Sequence, residues 1–129
     1  MIDDQSSQKT ALRRVRYLGA ARFGVEEAFA MRLTSLALVP LTIGFVWLML
    51  SLMSKDYNAV REALGHPIPA LVVLLFILVG VYHMQLGMRS IISDYLHGHV
   101  KEWALVANLC FSAVLAVTCV YSVLRIGFV

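Results

Sequence analysis

The segment IPALVVLLFILVGVYHMQLGM, residues 68–88, contains no charged side chain. At a rise of 1.5 Å per residue, a helix of about 20 residues spans a hydrocarbon core of roughly 30 Å, so this segment has the length and composition of a transmembrane helix. Working outward, two more uncharged runs of similar length flank it, Leu33 to Met53 before and Trp103 to Leu124 after. Of the 129 residues, 60% are hydrophobic and 15% charged, and the mean hydropathy is +0.77. Soluble domains sit nearer half apolar and a quarter charged, so the excess points to lipid as the solvent. The expected fold is all-α, a membrane protein with three transmembrane helices at 33–53, 68–90 and 103–124.

The net charge of +3 is small. The basic residues do not gather into a face that could follow a phosphate backbone, which argues against a nucleic-acid partner. Their distribution carries an orientation. The segment before Leu33 holds Lys9, Arg13, Arg14, Arg16, Arg22 and Arg32, and the connection after the second span holds Arg89 and Lys101. The opposite side has Lys55, Arg61 and Arg125. Eight against three, under the positive-inside rule, puts residues 1–32 and 91–102 in the cytoplasm and 54–67 and 125–129 on the opposite side of the membrane. The first ten residues offer almost nothing apolar to bury and are expected to be disordered. The first long apolar run starts too late and is too long for a secretory leader, so no cleaved signal is expected.

Pro40 falls inside the first span, where it removes a helix hydrogen bond and can kink the chain, and Pro67 with Pro69 marks the start of the second. In the connection 54–67, Tyr57, Val60 and Leu64 share a helical face, which suits either a short surface helix or a plain connector. Cys110 and Cys119 lie two and a half turns apart on opposite faces, without metal-ligand spacing, and read as small packing residues. No internal repeat is visible.

The residues able to carry chemistry concentrate between Gly80 and His99. Residues three or four apart share a helix face, so His83, Gly87, Ser90 and Asp94 form one small or polar stripe. An ionisable side chain at the depth of His83 is costly and rare in a span, and points to a partner, a cofactor or a wet cavity. Neutral imidazole is an axial ligand for haem iron, and Gly87, one turn on, leaves room for a flat group. Gly87 is equally suited to close helix packing. Tyr95 can donate a hydrogen bond to a carbonyl ligand with Asp94 beside it, although such a pair at a helix end also serves as an interfacial anchor. Arg32 can snorkel to headgroups or pair with an anion such as a haem propionate.

The string His83-x3-Gly87-x6-Asp94-Tyr95, followed by Leu-His97-Gly98, resembles the signature of the smaller hydrophobic anchor subunit of succinate dehydrogenase, respiratory complex II, in its alphaproteobacterial and mitochondrial branch. The segment Gly24-Val-Glu-Glu-Ala-Phe-Ala-Met-Arg32 is similar to that family's approach to its first helix, with Glu26 where some members carry histidine. The resemblance implies half of a heterodimeric haem b anchor bundle. His83 would be one axial ligand of a haem b shared with the larger cytochrome b anchor, with Gly87 beside it and Arg32 near a propionate. Tyr95, with Asp94, would contact ubiquinone at a site shared with that larger anchor and the iron-sulfur protein of the complex. FAD would sit on the flavoprotein and the iron-sulfur clusters on the iron-sulfur protein, and the whole complex would pass electrons from succinate to ubiquinone. The alternatives are an anchor of a fumarate reductase and a cofactor-free structural or transport membrane protein.

Overall fold

A computed structural model describes residues Ala20–Phe128, and among these every regular element is an α-helix. They are α1 (Ala20–Leu52), α2 (Tyr57–Gly65), α3 (Pro67–Tyr95) and α4 (Gly98–Phe128). By internal contacts the chain divides into Met1–Ala30 and Met31–Val129. The described part of the first unit is helical from Ala20, and the sequence motifs from Met31 onward lie in the second. The early segment expected to be disordered lies outside the described residues. Three helices, Gly24–Leu52, Pro67–Tyr95 and Gly98–Gly127, are long and apolar enough to cross a membrane.

Helix ends follow local chemistry. Pro67 and Pro69 occupy the first turn of α3, where amides have no intrahelical acceptor and a missing N–H costs nothing. Asp56 caps α2, its carboxylate accepting from the Ala59 amide at 3.4 Å. Of the two readings of residues 54–67, the surface helix is therefore the one the chain adopts. The joint between α3 and α4 needs only Leu96 and His97, because Gly98 turns the chain with φ of +65°, a conformation that costs other residues a clash at Cβ. Lys101 then donates to the Ser93 carbonyl at 3.2 Å, satisfying one of the last acceptors of α3. Both helices thus run well into 91–102, the stretch expected as a connection. Hydropathy bounds the apolar part of a span, whereas backbone hydrogen bonding bounds the helix, and a helix can project past the lipid.

Within the second unit α1 and α3 are antiparallel neighbours. Thr34 meets His83, and further along α1 the rings of Phe45 and Phe76 stack at 4.3 Å and 9°. A Cβ added at Gly80 would touch Leu38 at 3.9 Å, and one at Gly44 would touch Val72 at 3.6 Å, so these glycines sit where the two helices approach. α1 continues unbroken through Pro40. α3 and α4 are joined through Asn108, described below. At the far end α2 lies against the last turn of α4, where a Cβ at Gly127 would meet the Leu64 carbonyl at 3.6 Å. Cys110 faces outward and Cys119 is half-buried, both as free thiols. The packing role expected for Cys110 is therefore not met within this chain.

Candidate functional site

His83 projects from the middle of α3 into a half-buried position. Its Nδ1 lies 2.9 Å from Thr34 Oγ1, which reaches it from α1. The Thr34 hydroxyl also donates to the Met31 carbonyl one turn back, at 3.0 Å. The other imidazole nitrogen, Nε2, has no hydrogen-bond partner among the described residues. One turn beyond His83, a Cβ built on Gly87 would meet nothing within 4 Å. Gly87 thus differs from Gly44 and Gly80, whose missing side chains are filled by the neighbouring helix. The helix-packing alternative for Gly87 finds no partner inside this chain.

Asp94 and Tyr95 close α3. Both are exposed, Tyr95 to 78%. Twelve residues of helix separate Tyr95 from His83, roughly 18 Å along the axis. Asp94 continues the His83–Gly87 stripe, and Tyr95 is turned about 100° from Asp94 round the helix. The stripe member Ser90 is exposed as well.

Arg32 is exposed on α1. Two positions before Thr34, it lies about 200° round the helix from it, on the opposite side from the residue that touches His83. The structure brings Thr34 to the imidazole and leaves Arg32 apart from it.

A second polar feature ties α3 to α4. Asn108, 8% exposed, donates through Nδ2 to the Gln85 carbonyl at 3.1 Å. Ser112, 5% exposed, donates to the Asn108 carbonyl at 2.8 Å. Beside them runs an open groove of about 230 Å³, lined by Gln85, Arg89, Leu105, Val106, Asn108 and Leu109. Gln85 and Arg89 lie two and six residues after His83 and so occupy the face of α3 away from the His83–Gly87 stripe.

Thr34 and Asn108 were not singled out from the sequence. For Asn108 a signal exists, an amide inside an apolar run with a serine one turn on. For Thr34 there is none within its own span, because a hydroxyl that bonds to its own helix is common in lipid and only the α1–α3 register gives it a partner.

Comparison with known proteins identifies the family. A family model described as succinate dehydrogenase/fumarate reductase transmembrane subunit matches residues 6–124. The chain belongs to this family. The succinate dehydrogenase hydrophobic membrane anchor subunit of Paracoccus denitrificans is 30% identical over 110 residues, covering 85% of each chain. The protein of the same name from Rickettsia bellii is 26% identical over 110 residues, covering 84% of this chain and 88% of that one. No solved structure matches. The three apolar helices of this anchor-family chain make it a multi-pass membrane protein.

The donor set of the anchor chain suits a haem. Among the described residues no three His, Cys, Asp or Glu side chains gather to hold a metal ion. Haem iron needs none, since the macrocycle fills four positions and leaves one or two axial ones for the protein. One imidazole held by Nδ1, with Nε2 unengaged and open space at the glycine one turn away, meets that requirement.

Proposed function

We propose that the chain anchors a succinate:ubiquinone oxidoreductase in the bacterial inner membrane, co-ligates a haem b, and forms part of the ubiquinone-reduction site. Its partners would be the larger cytochrome b anchor, which would share in holding the haem, the iron-sulfur protein and the flavoprotein. The observation that carries the reading is that one unbroken helix, α3, holds His83 beside the open space at Gly87 and presents Asp94 and Tyr95 at its exposed end.

The distribution of basic residues supports a cytoplasmic end of α3, the side from which a soluble iron-sulfur protein could deliver electrons. When bound, the haem supplies a one-electron redox centre inside the membrane. His83 would hold it through Nε2, and Gly87 would leave room for it beside the helix. Arg32, on the far side of α1 from this contact, is left out of the proposed haem contacts. Reduction of a quinone to a quinol takes two electrons and two protons. Tyr95 would donate a hydrogen bond to a quinone carbonyl and stabilise the negative charge that builds there as electrons arrive. Asp94, adjacent and exposed, would orient the phenol or take a proton from the cytoplasm for delivery to the ring.

The test uses the whole complex in membranes. His83→Leu should abolish or alter the haem b bands of the reduced-minus-oxidised spectrum, and a normal spectrum would remove His83 as a ligand. Tyr95→Phe should lower succinate-to-ubiquinone activity by roughly 10²-fold, the scale for one lost donor to a developing oxyanion. Haem content and succinate oxidation with an artificial acceptor should be retained. Unchanged quinone kinetics would take Tyr95 out of the site.

A further inference from the structure

We propose that Thr34 is a positioning residue for the haem ligand, accepting the Nδ1–H of His83 so that the ring is held in the one tautomer and orientation that offers Nε2 to iron. The inference rests on the haem reading above. Nδ1 stands 2.9 Å from Thr34 Oγ1, so this nitrogen is spoken for and only Nε2 can ligate. A neutral imidazole carries a single N–H, and a nitrogen that binds iron cannot hold it. The proton is then on Nδ1, and the bond to Thr34 runs from the ring to the hydroxyl oxygen.

The threonine is built to receive it. A hydroxyl has one proton to give and two lone pairs. The Thr34 proton goes to the Met31 carbonyl at 3.0 Å, an oxygen that Ser35 also uses, at 2.8 Å. With its proton committed to its own helix, Oγ1 presents a lone pair to His83. The bond to the Met31 carbonyl selects among the χ1 rotamers open to a helical threonine, so the oxygen is held in place. The result is a directed chain, Nδ1–H to Oγ1–H to carbonyl, that crosses from α3 to α1. Such a chain raises the basicity of the ligating nitrogen, as the outer hydrogen bonds of metal-bound histidines do. Were the direction reversed, Nε2 would carry the proton in the middle of an apolar span with nothing described to receive it, which is costly in lipid.

The test is potentiometric titration of haem b in the assembled complex, with spectra recorded alongside. Thr34→Val keeps the branched shape and removes the acceptor, and Thr34→Ala removes it without filling the space. Both should retain haem b and raise its midpoint potential, because a weaker imidazole donor costs ferric iron more stabilisation than it costs ferrous iron. A tenfold preferential loss of ferric affinity, the low end for outer-shell partners of metal ligands, equals about 59 mV for one electron. Thr34→Ser restores an oxygen and should return the potential to the wild-type value. The proposal is overturned if valine and alanine leave the potential unchanged, or if serine shifts it as far as valine does, which would show that the hydroxyl oxygen does not set it. His83→Leu in the same series separates the two levels. If that variant keeps a normal haem, the ligand reading itself fails; if it loses haem while the threonine variants titrate as wild type, only the role of Thr34 falls.

Discussion

Gly87 shows how one residue can be read from what its own chain does not do with it. In a helix interior glycine is about 1 kcal/mol worse than alanine, so it persists where a side chain would obstruct something. At Gly44 and Gly80 the obstruction is visible, Val72 and Leu38 at 3.6 and 3.9 Å. At Gly87 no such neighbour lies within 4 Å among the described residues, so the space there is open. Gly87→Val therefore adds a side chain that the anchor accommodates by itself. Its expected outcome is normal accumulation in the membrane and co-purification with the partner proteins, with haem b reduced severalfold by pyridine haemochrome assay. Loss of the partners with haem retained in the remaining complex would instead place a partner helix against Gly87. The two nitrogens of His83 differ likewise, Nδ1 lying 2.9 Å from Thr34 Oγ1 and Nε2 having no hydrogen-bond partner among the described residues.

At the scale of elements, each helix was legible in the sequence from its apolar length, and its limits were less so. The runs 33–53, 68–88 and 103–124 predict three spans, and three helices of that character are present. Their ends differ because they depend on single residues that hydropathy averages away: Gly98 with its positive φ, Lys101 reaching the Ser93 carbonyl, and the prolines that open α3. The short helix α2 was one of two readings, since about two turns of apolar spacing do not outweigh a connector until Asp56 caps the helix. Of the candidate site, the helix face was legible, because His83, Gly87 and Asp94 repeat at helical spacing along one helix. What could not be read was how α1 docks on it. The Thr34–His83 bond, the Phe45–Phe76 stack and the Asn108–Gln85 bond each join residues far apart in sequence, and nothing in either span announces its partner. In lipid, where burial of apolar surface gives no drive between helices, these few polar and aromatic contacts decide the register.

At the scale of the whole molecule, the second unit leaves most of its surface unpartnered. Among the described residues Leu52, Val73, Leu86 and Ile92 are the buried apolar side chains, and no large side chain is fully buried. The apolar window of α1 has none of its residues buried, against 6% for α3 and 11% for α4. Exposed leucines cost nothing against lipid tails, so this does not unfold the chain, but it leaves α1 weakly held. α3 and α4 share a short joint, the Lys101 tie and the Asn108 bond, whereas the described contacts of α1 with α3 include the Thr34–His83 bond, the Phe45–Phe76 stack and the approaches at Gly44 and Gly80. Such differences in packing set local opening free energies, and the least packed element opens first. The expected outcome is that the chain expressed without its partner proteins still inserts, with α1 as its labile part. Hydrogen exchange read by mass spectrometry in lipid nanodiscs should show amides of residues 31–52 exchanging at least tenfold faster in the solitary chain than in the complex, about 1.4 kcal/mol of lost protection. Amides of α3 and α4 around Gln85 and Asn108 should change less. Equal protection of α1 in both states would mean that its few contacts suffice, and that the exposed face of α1 meets only lipid in the complex.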